Sequence, residues 1–579
     1  MGPRAMFAVL EEAAQRHGNA PALYQPIGNG KYQTYSWNEY KRAVMEIACG
    51  LRALGMGKGD VVAIHAETRA EFYLADLGIL ANGSIAAALY TTYPMPDQVG
   101  NLRASGAKAV FVEDAKTREA LIAAAGQPTL DVHWILLTGQ AQGALTLDQL
   151  RAQGRQLLDA DARFFDKIHA EVRPEDPAIL YLTSGATGEP KMGLTTHGAL
   201  VANVDMGPGA LGLTPQDCTI SFLPSAHIAQ RVVIELLPIG MGVPVWFSES
   251  LAKLPAEMKT IRPTFLLAPP RVWERIFASV NTEVKKKSAI ARRLFHGAVG
   301  LGSEVARLKE EGKPVPGWMQ NTLKLAERLV FSKIRARLGG RLRIAASGAA
   351  PLGKELGRFY AAIGMPLIEG YGLTEGGVLT LNPLDRPKSG SIGVALPGVE
   401  LRLAEDGELL IKSATLFAGY YRDPAASAAV LRDGWLYTGD IAEIDSDGYV
   451  YITGRKKELI VSSNGKKIYP ARIEGLFKSE PIVNQVVLIG DRLPFITALV
   501  TVNASNAKGP VETEVKKAVS RINKQLAPFE QIRKFRILER EFSIETGELT
   551  PTMKVRRNRV LENHRELVSE LYMGKEESQ

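Results

Sequence analysis

Residues 181–193 read YLTSGATGEPKMG. Three glycines, four hydroxyl side chains counting Tyr181, one proline and one lysine fall within these thirteen residues. The apolar run AILYL leads into it and predicts a strand. Gly185 and Gly188 leave backbone N–H groups free to wrap an anion, and the hydroxyls of Thr183, Ser184 and Thr187 add donors. Pro190 stiffens the exit, and Lys191 supplies a point charge. This composition describes a phosphate cradle at a strand end. It is not a Walker A loop, which needs G-x-x-x-x-G-K-[ST]. The dinucleotide pattern G-x-G-x-x-G occurs at residues 207–212, GPGALG. That match contains a proline and follows no predicted strand, so it is read as chance.

Working outward, residues 35–180 alternate helical stretches with the short apolar runs VVAIHA, SIAAALY, KAVFVED and VHWILLTG. Such alternation predicts parallel α/β structure. The pattern resumes with TISFLPS, VPVWF, PTFLLAPP and LRIAASGAA. A helical block rich in Lys and Arg interrupts it over about residues 275–338. After Glu400 the texture changes. LRLAEDGELLIKS and AEIDSDGYVYITGR predict antiparallel strands joined by Asp-Gly turns. A smaller unit follows, with strands at QVVLIGD and ITALVTVN and a helix at VETEVKKAVSRINKQL. The chain therefore divides into residues 1–454 and 455–579, joined near Gly454–Lys457. At 579 residues it exceeds the roughly 250–300 at which a single core stops growing.

Composition is that of a soluble globular protein, 46% hydrophobic and 23% charged, and no apolar run reaches the length of a membrane span. Cys49 and Cys218 lie far apart without metal-ligand spacing, which points to a reducing compartment. The first residues lack a signal-peptide core, and Met6 stands where a myristoylation signal needs Ser or Thr. Cytoplasm is the expected location. From Arg455 onward 23 Lys and Arg oppose 16 Asp and Glu, so nearly all of the +8 net charge lies there. Such a segment suits a polyphosphate ligand, an anionic membrane or nucleic acid, or is simply a solvated surface. Nucleic acid is the weakest of these, because aromatic–basic interleaving and a docking motif are both missing.

The cradle does not stand alone. It resembles the phosphate loop of the AMP-forming acyl-CoA synthetases, adenylate-forming enzymes that include luciferases and peptide-synthetase adenylation domains. Further motifs follow in that family's order: SFLPSAHIAQR, AASGAAPLG, EGYGLTEGG, RPKSGSIGVALPGVELRL, GYYRDP, DGWLYTGD, GRKKELIVSSNGKKIYPARIE and GELTPTMKVRR. They span about residues 8–560 and look most like those of long-chain fatty acyl-CoA synthetases. The resemblance implies an α/β fold: a large N-terminal domain of stacked α/β subdomains with a β-barrel-like portion, and a small mobile α+β C-terminal domain. It also implies a two-step reaction. A fatty carboxylate attacks the α-phosphorus of ATP, giving an acyl adenylate and pyrophosphate. The thiol of CoA then displaces AMP.

Residue by residue, the resemblance assigns the ATP phosphates to Thr183, Ser184, Gly185, Thr187, Gly188 and Lys191. Gly348, Ala349 and Ala350 would line the adenine pocket, and Glu369, Gly370, Tyr371 and Gly372 would complete it, with Tyr371 as the stacking surface. Thr374 would contact phosphate, and Glu375 would hold Mg²⁺. Asp440 would bind the ribose hydroxyls, joined by Arg455 from the domain joint. His227 would stand beside the substrate carboxylate at the mouth of an acyl tunnel walled by IAQRVVIELLPIG and PTFLLAPP; a lone histidine or an apolar stripe is otherwise more often core. Lys554 would bring positive charge to the adenylation step. Lys457 would be the hinge, and Gly465 would line the pantetheine channel. Ala186, Met192 and Gln230 depart from the family pattern, which usually has Thr or Ser, a small residue, and Glu. The basic helical block is expected to touch a membrane surface. Two alternatives are an acyl-AMP ligase that loads a carrier protein and a catalytically silent fatty-acid-binding member. The first usually carries an insertion beside the hinge, which GRKKELIVSSNGKKIYP lacks.

Overall fold

A computed structural model describes residues 4–183, 191–348, 350, 352–463, 466–507, 509–550 and 553–573. The chain forms two compact units. The first comprises residues 1–352, 356–400 and 412–436; the second comprises 353–355, 401–411 and 437–579.

In the first unit the predicted apolar runs become strands of two sheets. VVAIHA, SIAAALY, KAVFVED and VHWILLTG supply Val61–His65, Ile85–Ala88, Ala109–Val112 and His133–Leu136, which run parallel. TISFLPS, VPVWF, PTFLLAPP and LRIAASGAA supply Thr219–Ser221, Val245–Phe247, Phe265–Ala268 and Ile344–Ser347, parallel in the second sheet. The periodicity predicted the strands but not their division into two sheets. That division is made around a helix buried on nearly every side. Helix Ala70–Ala81 buries all but one of its twelve residues, and helix Trp37–Ala53 packs beside it. One hydrophobic core joins these helices to side chains of both sheets, among them Ile64, Ala88, Phe111, Leu23, Phe247 and Leu267. Burial on this scale is the main stabilising term.

Each sheet ends in an antiparallel hairpin. In the first sheet, strand Pro177–Thr183 pairs with Lys191–Thr196, and Gly419–Tyr420 adds beyond it. In the second, Leu367–Leu373 pairs with Gly377–Leu381. The GPGALG match lies in the last turns of helix His197–Leu211, which contains Pro208 and ends on Gly212 at a positive φ of 53°. It therefore follows no strand.

Most residues of the antiparallel strands expected after Glu400 belong to the second unit. Glu408–Lys412, Trp435–Ile444 and Val450–Arg455 share a sheet. Its turns close at Gly407, which donates to the Ala404 carbonyl, and at Gly448, which donates to that of Asp445; both have φ of 84°. A three-stranded sheet of Val483–Ile489, Ile496–Val502 and Ile532–Ile537 follows, covered by helices Pro470–Leu476 and Val511–Asn523 over a separate core. Cys49 is buried, which pushes its thiol up to about 12, and both cysteines are free thiols. Among the described residues no helix is long and apolar enough to cross a membrane.

Candidate active site

The two hairpin tips of the first unit meet. In the first sheet Thr183 and Lys191 are register partners, so residues 184–190 are the link between paired strands. In the second sheet Leu373 pairs with Gly377, and Gly376 donates to the Leu373 carbonyl, which sets Thr374 and Glu375 in a tight turn. Gly193 and Thr374 touch across this junction. A Cβ on Gly193 would lie 3.1 Å from Thr374 Cγ2, so only glycine lets the strands approach without adjustment. A Cβ on Gly372 would stand 2.3 Å from the Gly377 carbonyl oxygen, which explains the second glycine of EGYG.

Tyr420 binds the two tips together. Its backbone pairs opposite Gly193, and its hydroxyl donates to Glu375 Oε1 at 2.6 Å. The Lys191 ammonium sits 4.7 Å from the centre of the Tyr420 ring. Burial, and then the neighbouring Glu375 carboxylate, push the Tyr420 phenol well above its ordinary value, so it stays a neutral donor. The Glu375 carbonyl accepts from Phe417 N at 2.9 Å, which fixes the turn from the other side. A cation, a carboxylate and a phenol thus converge near the strand ends Thr183 and Lys191. Sequence reasoning named Lys191, Thr374 and Glu375 but not Tyr420, whose only signal was its place in GYYRDP.

Glu369, assigned to the adenine pocket, is buried on strand Leu367–Leu373. Its carboxylate accepts from Leu352 N at 3.3 Å and Gly390 N at 3.2 Å. It therefore braces the segment that begins at Gly348. Gly348 follows strand Ile344–Ser347, and a Cβ there would lie 3.7 Å from the Gly370 carbonyl. Tyr371 is half-buried beside it, and Ala350 is exposed. Ser184, Gly185, Ala186, Thr187, Gly188, Ala349 and Gly465 lie outside the described residues.

His227 caps the short helix Ile228–Gln230, its Nδ1 accepting from Ala229 N at 3.2 Å. The apolar residues that follow, Val232, Ile234, Leu236 and Ile239, are buried in the main core. Residues 231–236 form a π-helical stretch, a feature that often marks functional positions. Gln230 is fully buried, and its amide donates to Ser221 Oγ at 2.6 Å and Tyr73 Oη at 3.0 Å. Arg231 is fully buried as well. It forms a fork with Asp76 from helix Ala70–Ala81, with Nε 2.9 Å from Oδ2, and lies 5.6 Å from the Tyr181 ring. Its backbone N–H donates to the His227 carbonyl. Burial, followed by the Asp76 charge, raises the carboxyl of the neighbouring Glu235 far above the usual range, so that group is neutral. An aspartate in the apolar run EFYLADLGIL was the one sequence signal for this pair. Met192 packs half-buried beneath the first sheet against Leu182, so this departure is a core substitution.

The second unit carries the remaining residues. Asp440 is buried and directly opposite Arg455 across two antiparallel strands, with Arg455 Nε 3.0 Å from Oδ1. Beside it, Glu408 accepts from Gly439 N at 2.8 Å and pairs with Lys456 at 2.9 Å. Lys457 is exposed in the short 3₁₀ turn Lys456–Glu458. Lys554 is exposed near the end of a small hairpin in which Leu549 bridges Val555.

Comparison with known proteins agrees with this arrangement. Residues 10–421 match the AMP-binding enzyme family, and residues 457–576 match the AMP-binding enzyme C-terminal domain. The chain is 34% identical to the long-chain-fatty-acid–CoA ligase FadD15 of Mycobacterium tuberculosis, over 95% of this chain and 94% of that one. It is 28% identical to fatty acyl-CoA synthetase A of Dictyostelium discoideum, over 96% and 88%. In fold it is similar to ATP-bound MatB from Rhodopseudomonas palustris, with a TM-score of 0.74 and 23% identity over 98% of this chain and all of that one. The length of the family match, together with identity above 30% over nearly the whole chain, is decisive: this chain belongs to the AMP-binding enzyme family.

Proposed function

We propose that this protein is an ATP-dependent ligase that converts a medium- to long-chain fatty acid to its CoA thioester through an acyl adenylate, releasing AMP and pyrophosphate. The observation that carries the reading is the meeting of Lys191, Tyr420, Thr374 and Glu375 where the two hairpins approach each other. Bringing a carboxylate to a tetra-anionic nucleotide requires charge neutralisation and fixed geometry, which this convergence supplies. The family relatives named as long-chain fatty acid–CoA ligases support the substrate class.

Lys191 and the loop residues Thr183, Ser184, Gly185, Thr187 and Gly188 hold the β- and γ-phosphates. Tyr371, with Gly348, Ala349, Ala350, Gly370 and Gly372, receives adenine, while Glu369 braces that wall. Asp440 accepts from the ribose hydroxyls, and Arg455 holds its carboxylate in place. His227 stands by the fatty carboxylate. Glu375 suits Mg²⁺: its Oε1 accepts one hydrogen bond, and a carboxylate has lone pairs to spare. Among the described residues no three His, Cys, Asp or Glu side chains cluster, so most ligands would come from substrate phosphates and water, as this hard cation prefers. Bound there, the ion would neutralise phosphate charge.

Lys554 places its ammonium on the reacting carboxylate and α-phosphate. Lys457 is the hinge about which residues 455–579 turn after adenylation, replacing Lys554 by the face that binds CoA, with Gly465 on the pantetheine channel. The compact units divide earlier, near Tyr437; the hinge concerns rotation rather than compactness. Ile290, Leu294, Trp318 and Leu325 are exposed in the same helical block as Lys285, Lys286, Lys287, Arg292 and Arg293. They form a peripheral contact with anionic membrane, and failure to co-float with anionic vesicles at low salt would refute it. For the reaction itself, incubation with ATP, magnesium, oleate and CoA yields AMP and oleoyl-CoA by mass. ADP in place of AMP would overturn the adenylate.

A further inference from the structure

Six residues before Lys554, Glu548 is an ionised side chain with no exposed surface. Five donors surround its carboxylate. Arg540 reaches it with both terminal nitrogens, at 2.6 and 3.0 Å. Thr546 Oγ1 donates at 2.7 Å, Asn563 Nδ2 donates at 3.1 Å, and His564 Nε2 lies at 3.0 Å. Burial alone would raise this carboxyl; Arg540, Thr546 and Asn563 outweigh it and bring the group to about 2. A buried carboxylate is tolerable only when satisfied in this way.

The chain geometry shows what this cluster holds. The Glu548 carbonyl accepts from Arg556 N at 2.7 Å, and Leu549 bridges Val555. Thr550 N donates to the Lys554 carbonyl at 2.8 Å, and Lys554 N donates to Thr550 Oγ1 at 3.0 Å. Met553, just before the lysine, takes a φ of 64°, which a side chain rarely adopts. Glu548 and Arg556 thus close the base of a short hairpin that carries Lys554. The carboxylate ties that base to Arg540 on the preceding segment and to Asn563 at the end of helix Arg557–Asn563. A lysine has a flexible stem, so its reach depends on a fixed backbone beneath it.

We propose that Glu548 is a positioning residue for adenylation: its buried carboxylate fixes the hairpin that presents Lys554. This inference rests on the adenylation role given to Lys554 above. Nothing in the reaction requires Glu548 to touch substrate.

The two half-reactions separate this role from a general structural one. Adenylation is read as single-turnover pyrophosphate release from ATP, magnesium and oleate. Thioester formation is read from supplied oleoyl-adenylate and CoA. In Glu548→Gln adenylation falls by about 100-fold, the scale of a misplaced catalytic group, while thioester formation is unchanged. Amide hydrogen exchange at residues 549–556 rises, while strand Val483–Ile489 stays protected. Asn563→Ala removes one donor and leaves the Arg540 pair, so it gives a weaker split in the same direction and decides the matter if Glu548→Gln does not fold. Equal loss of both half-reactions in the folded variants, or undiminished adenylation, overturns the proposal. Lys554→Ala is run alongside. If it loses adenylation alone while Glu548→Gln keeps it, the ligase reading stands and the positioning role falls. If Lys554→Ala loses both halves equally, the role of Lys554 falls, and this inference with it.

Discussion

Arg455 Nε lies 3.0 Å from Asp440 Oδ1, and the two residues face each other across paired strands. The carboxylate is buried and the guanidinium is half exposed, so the pair orients Asp440 more than it stabilises the fold. Asp440→Asn therefore raises the KM for ATP by about tenfold, the weight of one good hydrogen bond to a charged group, with little change in Tm. Steady-state kinetics over ATP concentration check this. An unchanged KM would remove Asp440 from the nucleotide site.

Tyr420→Phe deletes the hydroxyl that donates to Glu375 and leaves the ring beneath Lys191. The lost hydrogen bond to a carboxylate costs about 1.5–3 kcal/mol. The magnesium concentration for half-maximal adenylation shifts, because Glu375 is freed from one partner and held less firmly. A magnesium titration identical to the parent's would separate Tyr420 from the site.

Gly193→Val forces a branched side chain against Thr374, whose methyl already lies 3.1 Å from where a Cβ would be. Overpacking of this kind costs about 1–3 kcal/mol and displaces the 374–375 turn. Adenylation falls more than Tm predicts. Parent-like adenylation would show that the two hairpin tips need not touch.

Arg231→Met leaves Asp76 buried without its counter-charge. Loss of one partner of a buried pair costs about 3–5 kcal/mol, read by chemical denaturation. The double variant Arg231→Met with Asp76→Leu recovers part of this. A neutral single variant would contradict the buried Arg231–Asp76 ion pair.

Acid weakens the fold in two windows. Burial holds His197 down to about 4, below its usual 6.5, so it stays neutral when folded. As pH falls below 6.5 the unfolded chain takes up this proton first, and stability declines until pH passes about 4. Asp217 is held at about 2 by Arg343 and Thr264, which outweigh its burial. Its contribution is present above 3.8 and is lost as pH falls toward 2. His197→Phe makes the first window shallower, His169 and His17 still contributing to it, and leaves the second unchanged. A melting profile of unchanged slope between pH 6.5 and 4 would contradict the neutral buried histidine.

Much of this molecule was legible because it is written in local signals. The apolar runs around VVAIHA and PTFLLAPP became strands, and the Asp-Gly turns closed where the glycines stood. Other features depend on partners distant in sequence. Nothing near Tyr420 announces Glu375, 45 positions away, and nothing near Arg231 announces Asp76, 155 positions away. Such pairs exist only once two sheets share a core. Glu369 shows the reverse limit. Its motif points to the nucleotide, while its burial and its two backbone donors give it the task of bracing a wall. The apolar run after His227 looked like a tunnel wall, and the structure packs it into the main core.

The most direct test of the ligase is pyrophosphate release with ATP and magnesium over carboxylic acids from acetate to oleate, with and without CoA, the products identified by mass. CoA-dependent turnover that yields AMP and acyl-CoA and favours the longer acids is the expected result. Acyl adenylate accumulating regardless of CoA would contradict the thioester step and point to a carrier-protein acceptor. No adenylate from any acid would contradict the assignment of catalysis itself.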